Sequence, residues 1–341
     1  SGDVFDADPW ALNTPGGIVD LRTGRLRPHR PGELVTKLAA VAPGGDCPRW
    51  RSFIREIVHG DDRLAAYVQR WAGYILTGNT SAHAFLVIIG PGGNGKTILV
   101  NALSHVMGDY AVVAPMETFM ASKGDRHPTD LAMLRGARLV LAQETEAGRE
   151  LAEAKVKALT GGDPVTARFM HGNFFTYQPA FKLVMVGNHR PAIRNPDDAL
   201  RRRLHMLPLT FKPERPDPGL FDVLKAEAPG ILQWAVEGCL AWQRDGLGMP
   251  DAVREATGTY FADQDLLAQW LAERCEVDRR GEAPSSALYR DWRAWCEARG
   301  ENAGTSTAFS PRLERHHAKR HTNTGKVFLG LRLRASDTGV M

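Results

Sequence analysis

The apolar positions change their spacing along the chain, and each change marks an element. Between Arg49 and Thr77 they recur at helical period: Trp50, Phe53, Ile54, Ile57 and Val58 share one face, and Leu64, Tyr67, Val68, Trp71, Tyr74 and Ile75 share another. Asp61-Asp62 stands where an N-cap would open the second helix. Ahead of them, Pro15-Gly16-Gly17-Ile18-Val19-Asp20-Leu21-Arg22-Thr23-Gly24-Arg25-Leu26 reads as two short strands around a glycine turn. From residue 84 to about 210 short apolar runs alternate with helical ones, which predicts an α/β layer with a largely parallel sheet. The strands fall at Ala84–Ile89, Arg138–Gln143, Lys182–Val186 and His205–Leu209, and the helices at Lys96–Met107, Asp130–Leu134 and Glu150–Leu159. Helical spacing resumes from Pro218 through Gln243, with Gly246 as its stop, and again at Asp265–Arg274 and Ser285–Glu297. His321–Leu333 ends the pattern with two extended runs around Asn323-Thr324-Gly325. The boundaries this suggests are 1–80 (strand pair and helical collar), 81–215 (α/β core), 216–262 (helical lid and linker) and 263–341 (a basic end domain).

Composition narrows the classes. With 43% hydrophobic and 24% charged residues over 341 positions the balance is that of a globular protein, not a disordered one. The longest apolar run, Ala84–Ile89, falls far short of the ~20 residues a spanning helix needs, so no membrane partner is expected. Asp3, Asp6 and Asp8 occupy the place of a signal peptide's basic and apolar regions. Cys47, Cys239, Cys275 and Cys296 are too far apart for a zinc or redox pair, which points to a reducing, cytoplasmic setting. The opening Ser1-Gly2, in place of Met, suggests a piece of something longer. The net charge of +4 is unevenly spread: Arg312, Arg315, Lys319, Arg320, Lys326, Arg332 and Arg334 face Glu314 alone. A basic end on a slightly acidic body fits a polyanion, most economically nucleic acid, although a solvated face explains such a cluster as well. His316, His317 and His321 lack further ligands at metal spacing and read as part of the same basic surface.

The chemistry is densest at Gly90-Pro91-Gly92-Gly93-Asn94-Gly95-Lys96-Thr97, which matches GxxxxGK[ST] between an apolar strand and a helix. Glycines let backbone N–H groups converge on phosphate oxygens, and the helix start, running on through Ile98, adds its partial positive charge. Lys96 then bridges the β- and γ-phosphates of ATP, and the Thr97 hydroxyl holds Mg²⁺. Glu144, at the end of the strand Arg138–Gln143, is the expected acid that holds the metal's water shell or accepts a proton; the role of Glu146 is left open. Asn188 follows another strand and could orient the lytic water or fill a loop turn. Arg201-Arg202-Arg203 suit a phosphate finger or a salt-bridged patch. Val165–Tyr177 reads as a hairpin around a glycine-containing turn. Phe169 and Phe174 are read first as core, with base stacking as the alternative.

The succession of P-loop, Glu144, Lys157-Ala158-Leu159-Thr160-Gly161-Gly162-Asp163, Asn188 and Arg202-Arg203 resembles the superfamily 3 helicases, specifically the phage and plasmid primase-helicase type related to the poxvirus nucleoside-triphosphatase. Gly16–Gly24, Cys47-Pro48-Arg49-Trp50, Ala256-Thr257-Gly258-Thr259-Tyr260 and Ser285-Ser286-Ala287-Leu288-Tyr289 are similar to segments flanking that family's core, so the resemblance spans nearly the whole chain. It implies an AAA+-like P-loop core with an N-terminal helical collar and a C-terminal winged-helix-like domain. It further implies a hexameric ring with ATP between subunits, Asn188 as sensor and Arg203, assisted by Arg202, as the neighbour's finger; relatives often carry an aromatic where this chain has Arg201. The hairpin would grip single-stranded DNA through Lys157, Arg168, His171 and Asn173, and the basic end through Arg315, Lys319 and Arg320. The activity implied is ATP-driven unwinding of forked DNA during replication of a phage or mobile element in a bacterial host cytoplasm, with a primase domain upstream. Two rivals remain. One is a P-loop ATPase that loads or remodels a protein partner, and the other a nucleotide-gated DNA-binding initiator that does not unwind.

Overall fold

The computed structural model describes residues 5–122, 129–143, 149–170, 172–194, 196–323 and 325–334. It divides into two compact units, Ser1–Tyr260 and Phe261–Met341. The first opens with β1 (Ala11–Thr14), β2 (Gly17–Asp20) and β3 (Arg25–Arg27), an antiparallel sheet in that order, followed by α1 (Pro48–Ile57) and α2 (Asp62–Leu76). Then come β4 (Phe85–Ile89), α3 (Lys96–Met107), β5 (Ala111–Pro115), α4 (Thr129–Ala132), β6 (Leu139–Gln143), α5 (Glu153–Gly161), β7 (Val165–Ala167), β8 (Phe175–Tyr177), β9 (Lys182–Gly187), α6 (Asp198–Arg203) and β10 (Leu204–Pro208). The unit closes with α7 (Leu220–Ala226), α8 (Ala228–Asp245) and α9 (Asp251–Gln264), the last crossing into the second unit.

Local chemistry explains the boundaries. Pro48 starts α1, where its fixed φ and missing N–H cost nothing. Asp61 caps α2 by accepting from the N–H groups of Arg63 and Leu64. Pro229 in the first turn of α8 splits the single helix expected over 218–243 into two.

The parallel sheet runs β10-β4-β9-β6-β5. This is the mixed α/β, P-loop-type layer that the alternating pattern predicts. Central β4 and β9 are buried along their whole length, which is why their sequences are continuous apolar runs rather than alternating ones. Edge strand β5 escapes prediction because it is half-exposed and lacks the buried apolar run of the inner strands. The register pairs Ile89 with Gly187, so the loop after β4 and Asn188 after β9 emerge side by side.

One core joins the helices before the sheet to those after it. Helices α2 and α8 cross with their backbones touching: a Cβ on Gly73 would overlap the Cys239 backbone, and one on Gly238 would overlap the Gln69 carbonyl. Two buried cations seal the amino ends of β6 and β9. Arg138 donates to the carbonyls of Leu76 at 2.6 Å and Ala11 at 2.7 Å and lies over the Tyr110 ring. Lys182 donates to the carbonyls of Thr77, Asn79 and Ala180 and lies over Tyr74. Both reach carbonyls at the C-terminus of α2, where the helix dipole favours positive charge.

Also in this core, the Tyr67 hydroxyl and Nδ1 of His205 share a hydrogen bond of 2.6 Å. Burial lowers the His205 pKa from 6.5 to about 4, so the folded state keeps the ring neutral while the unfolded chain protonates it. Stability from this group is therefore whole above pH 6.5 and drains away as pH falls toward 4, by at most about 3 kcal/mol. Chemical denaturation at several pH values should show the slope, and His205→Asn should flatten it relative to wild type. Equal slopes in the two proteins would refute the assignment.

The second unit holds α10 (Leu266–Arg274), β11 (Cys275–Pro284), α11 (Ser285–Ala298), α12 (Ser306–Glu314), β12 (Lys319–Thr322) and β13 (Gly325–Leu333), with its antiparallel sheet in the order β11-β13-β12. Its core gathers Trp270, Trp292, Trp295 and Phe309 with Phe328 and Leu331 of β13. Strand β11 was not expected, since Asp278-Arg279-Arg280-Gly281 breaks its apolar pattern; the structure takes up that segment as a register shift between Val277 and Glu282. Helix α12 was missed because it carries Pro311.

Candidate nucleotide site and hairpin

The loop from Gly90 to Gly95 leaves β4 and enters α3. Gly93 and Gly95 hold φ of +76° and +82°, the left-handed region that glycine tolerates best. Nothing lies within 4 Å of where a Cβ on Gly92 or Gly93 would stand, so no side chain crowds this part of the loop. The buried Lys96 ammonium donates to the carbonyls of Gly90 at 2.7 Å and Pro91 at 3.2 Å, to Asn94 Oδ1 at 2.9 Å and to Asn188 Oδ1 at 3.0 Å. Burial also lowers its pKa. A lysine with four neutral acceptors and no carboxylate among them keeps its charge available for an anion.

Beside the loop lies a cleft of about 370 Å³, lined by Gly92 to Ile98 and Asn188 on one side and by Phe53, Ile57, Phe211 and Leu220 on another. Arg49 and Glu56 at its rim pair at 2.9 Å, and Arg215 lines it as well. This donor set fits a nucleoside triphosphate: backbone N–H groups and a cation for phosphates, an exposed Thr97 hydroxyl in the cleft for Mg²⁺, and apolar walls for a base. Sequence reasoning missed the walls. It gave Phe53 and Ile57 to the helical core, and only the fold brings α1 against the P-loop. Phe211 had a weak signal, an aromatic placed past a strand end just ahead of Pro213, Pro216 and Pro218.

The remaining candidates are scattered. Glu144, Glu146 and His171 lie outside the described residues. The three arginines end α6 and do not line the cleft. Arg203 donates to the Lys157 carbonyl at 2.6 Å, and Arg202 to the Asp198 carbonyl at 3.2 Å. Lys157 itself pairs with Asp197, the cap of α6, at 2.5 Å, which commits it within the fold. In the second unit Arg320 pairs with Glu282 at 2.6 Å and Lys319 with Glu314 at 3.3 Å, while Arg315 is exposed.

Strands β7 and β8 form the expected antiparallel hairpin. The reading of Phe169 and Phe174 as core is wrong: they are 53% and 61% exposed, with Met170 at 74%. The strands are only three residues long and bury just Ala167 and Tyr177, so residues beyond them have no sheet to pack on. Phe169 stacks on Phe175 at 5.5 Å, and Arg168 covers the Phe174 ring at 4.8 Å. Asn173 is exposed beside them.

With this geometry in place, similarity to known proteins becomes informative. A family model described as "D5 N terminal like" matches residues 1–59, and a family of unknown function (DUF5906) matches residues 88–203. A provisionally named helicase of Acanthamoeba polyphaga mimivirus is 28% identical over 85% of this chain and 33% of its own length. A similarly named protein of Frog virus 3 (isolate Goorha) is 25% identical over 87% of this chain and 40% of its own. The chain is thus similar to a D5-type family at its N-terminal end and, over most of its length, to viral proteins provisionally named helicases. It spans between a third and two fifths of the length of these viral relatives. Among solved structures, the apo structure of the NrS-1 C terminal region (305-718) matches with a TM-score of 0.57 at 12% identity, over 86% of this chain and 77% of that one. At that identity the likeness concerns the fold alone. Among the described residues no helix is long and apolar enough to cross a membrane.

Proposed function

We propose that this chain is the motor portion of an ATP-dependent DNA helicase. The observation that carries the reading is the meeting of Lys96 and Asn188, 3.0 Å apart, at a cleft lined by the glycine-rich loop and by apolar walls. Lys96 leaves its carbonyl partners for phosphate oxygens, Thr97 holds Mg²⁺, and Asn188 orients water toward the γ-phosphate. The metal, when bound with the triphosphate, neutralises charge on the phosphoryl oxygens. Phe53 and Phe211 enclose the base. Glu144 remains the proposed acid, and Arg203, with Arg202 beside it, the finger offered to a neighbouring subunit of a hexameric ring.

The exposed aromatic hairpin supports the DNA side of the reading. Phe169 and Phe174 present ring faces next to Arg168, the combination that holds single strands by stacking and phosphate attraction. The second unit, helices with a small basic sheet, is proposed to be winged-helix-like and to tether DNA through Arg315. The parent protein is proposed to carry a primase domain upstream and to serve replication of a virus or mobile element.

Single-stranded DNA should accelerate phosphate release from ATP by the purified chain. Replacing Phe169 and Phe174 together with alanine should weaken single-strand affinity by at least ~10-fold, since each stacked base is worth about 1–3 kcal/mol. Fluorescence anisotropy with an oligonucleotide measures this. Unchanged affinity, with turnover indifferent to DNA, would favour an ATPase acting on a protein partner.

A further inference from the structure

Asn94 stands apart from its neighbours in the P-loop. Pro91, Gly92 and Gly93 are exposed, whereas Asn94 is 2% exposed. Its amide is shared between two elements. Oδ1 accepts from Lys96 Nζ at 2.9 Å, and Nδ2 donates to the carbonyl of Leu209, the residue after β10. The opposite orientation would set an NH₂ against an ammonium and an oxygen against a carbonyl, so the chemistry fixes the amide this way round.

Two further contacts make this a built arrangement. The Leu209 N–H donates to the Ile89 carbonyl at 2.8 Å, so the Asn94 amide continues the β4–β10 ladder beyond its last backbone pair. Gly90 leaves the room required, since a Cβ there would overlap both the Leu209 carbonyl oxygen and Asn94 Nδ2. At its other end β10 begins at Leu204, directly after Arg203. One buried strand, paired to β4 from Leu204–Phe85 through Pro208–Ile89, thus runs from the arginine triplet to Asn94.

We propose that Asn94 is a positioning residue that ties the P-loop lysine to the end of β10, so that Lys96 and the strand that directly follows Arg201 to Arg203 shift together when a nucleoside triphosphate binds. This rests on the reading of the cleft as a triphosphate site. Asn94 acts through Lys96: its oxygen holds the ammonium in line while its nitrogen anchors that oxygen to Leu209. A phosphate that draws Lys96 away therefore pulls on, or releases, the end of β10.

Asn94→Ala should raise KM for ATP about tenfold while lowering kcat less than about threefold, the split expected when positioning for binding is lost. Asn94→Asp keeps an acceptor for Lys96 but sets an oxygen against the Leu209 carbonyl, and should be worse than alanine. Hydrogen exchange in the wild-type chain gives a reading that needs no variant. Adding adenylyl-imidodiphosphate should change exchange in peptides covering 204–211, and this change should vanish in Asn94→Ala. KM within twofold of wild type, or a wild-type exchange pattern at 204–211 indifferent to the nucleotide, would overturn the proposal. Lys96→Ala separates the two levels. If it abolishes binding while Asn94→Ala behaves as wild type, only the coupling is wrong; if it leaves binding intact, the triphosphate reading falls and the coupling with it.

Discussion

Lys96→Ala is expected to lower nucleoside-triphosphate turnover by at least ~100-fold, the scale seen when a charge-stabilising donor is removed from a reaction centre. Lys96 is a buried cation at the P-loop, and its ammonium touches main-chain carbonyls on one side and Asn188 on the other. Alanine removes the charge that would follow the γ-phosphate as it departs. The fold should survive, because Lys96 opens α3 and alanine is the best helix former. Lys96→Arg should not restore turnover, since a planar guanidinium does not match the compact ring of acceptors that an ammonium fills. Phosphate release from ATP, with circular dichroism as a fold check, decides the matter. Residual turnover above about a tenth of wild type would remove Lys96 from the chemistry.

The largest expected effect on stability is at Arg138. This side chain is 4% exposed and satisfies the carbonyls of Leu76 and Ala11 from one guanidinium while stacking on Tyr110 at 4.6 Å. Arg138→Ala leaves two buried carbonyls without that donor and a void beside the ring, a loss of about 3–5 kcal/mol. For a unit of this size that corresponds to a fall in Tm on the order of 10 °C, read by thermal denaturation. Arg138→Lys should recover part of it, since an ammonium reaches one carbonyl but cannot fork to two. A Tm within about 2 °C of wild type in the alanine variant would show that water replaces the guanidinium without cost.

Legibility in the sequence followed the range of the interactions. The P-loop motif lies in one stretch of eight residues, Gly90 to Thr97, so the loop between β4 and α3 could be read directly. The central strands announced themselves because burial on both faces demands unbroken apolar runs. The hairpin was legible as a hairpin, yet Phe169 and Phe174 were misjudged: an aromatic in a sequence does not declare whether a sheet continues beneath it. Arg138 and Lys182 looked like ordinary charged strand starts, and nothing nearby in sequence reveals that they plug the end of α2 more than a hundred residues earlier for Lys182. The walls of the cleft were invisible for the same reason, as α1 reaches Gly95 only through the tertiary fold. There, a Cβ on Gly95 would press on Ile57 and Phe53.

The touching backbones of α2 and α8 bear on how such a fold can be inherited. Neither Gly73 nor Gly238 admits a side chain, and each position is shaped by the helix it faces. Recombination that exchanged the parallel sheet for a foreign one would have to carry the preceding and following helices along, or find partners cut to the same notch. The heritable module is therefore wider than the parallel sheet, and its two flanks must drift in sequence as a matched pair.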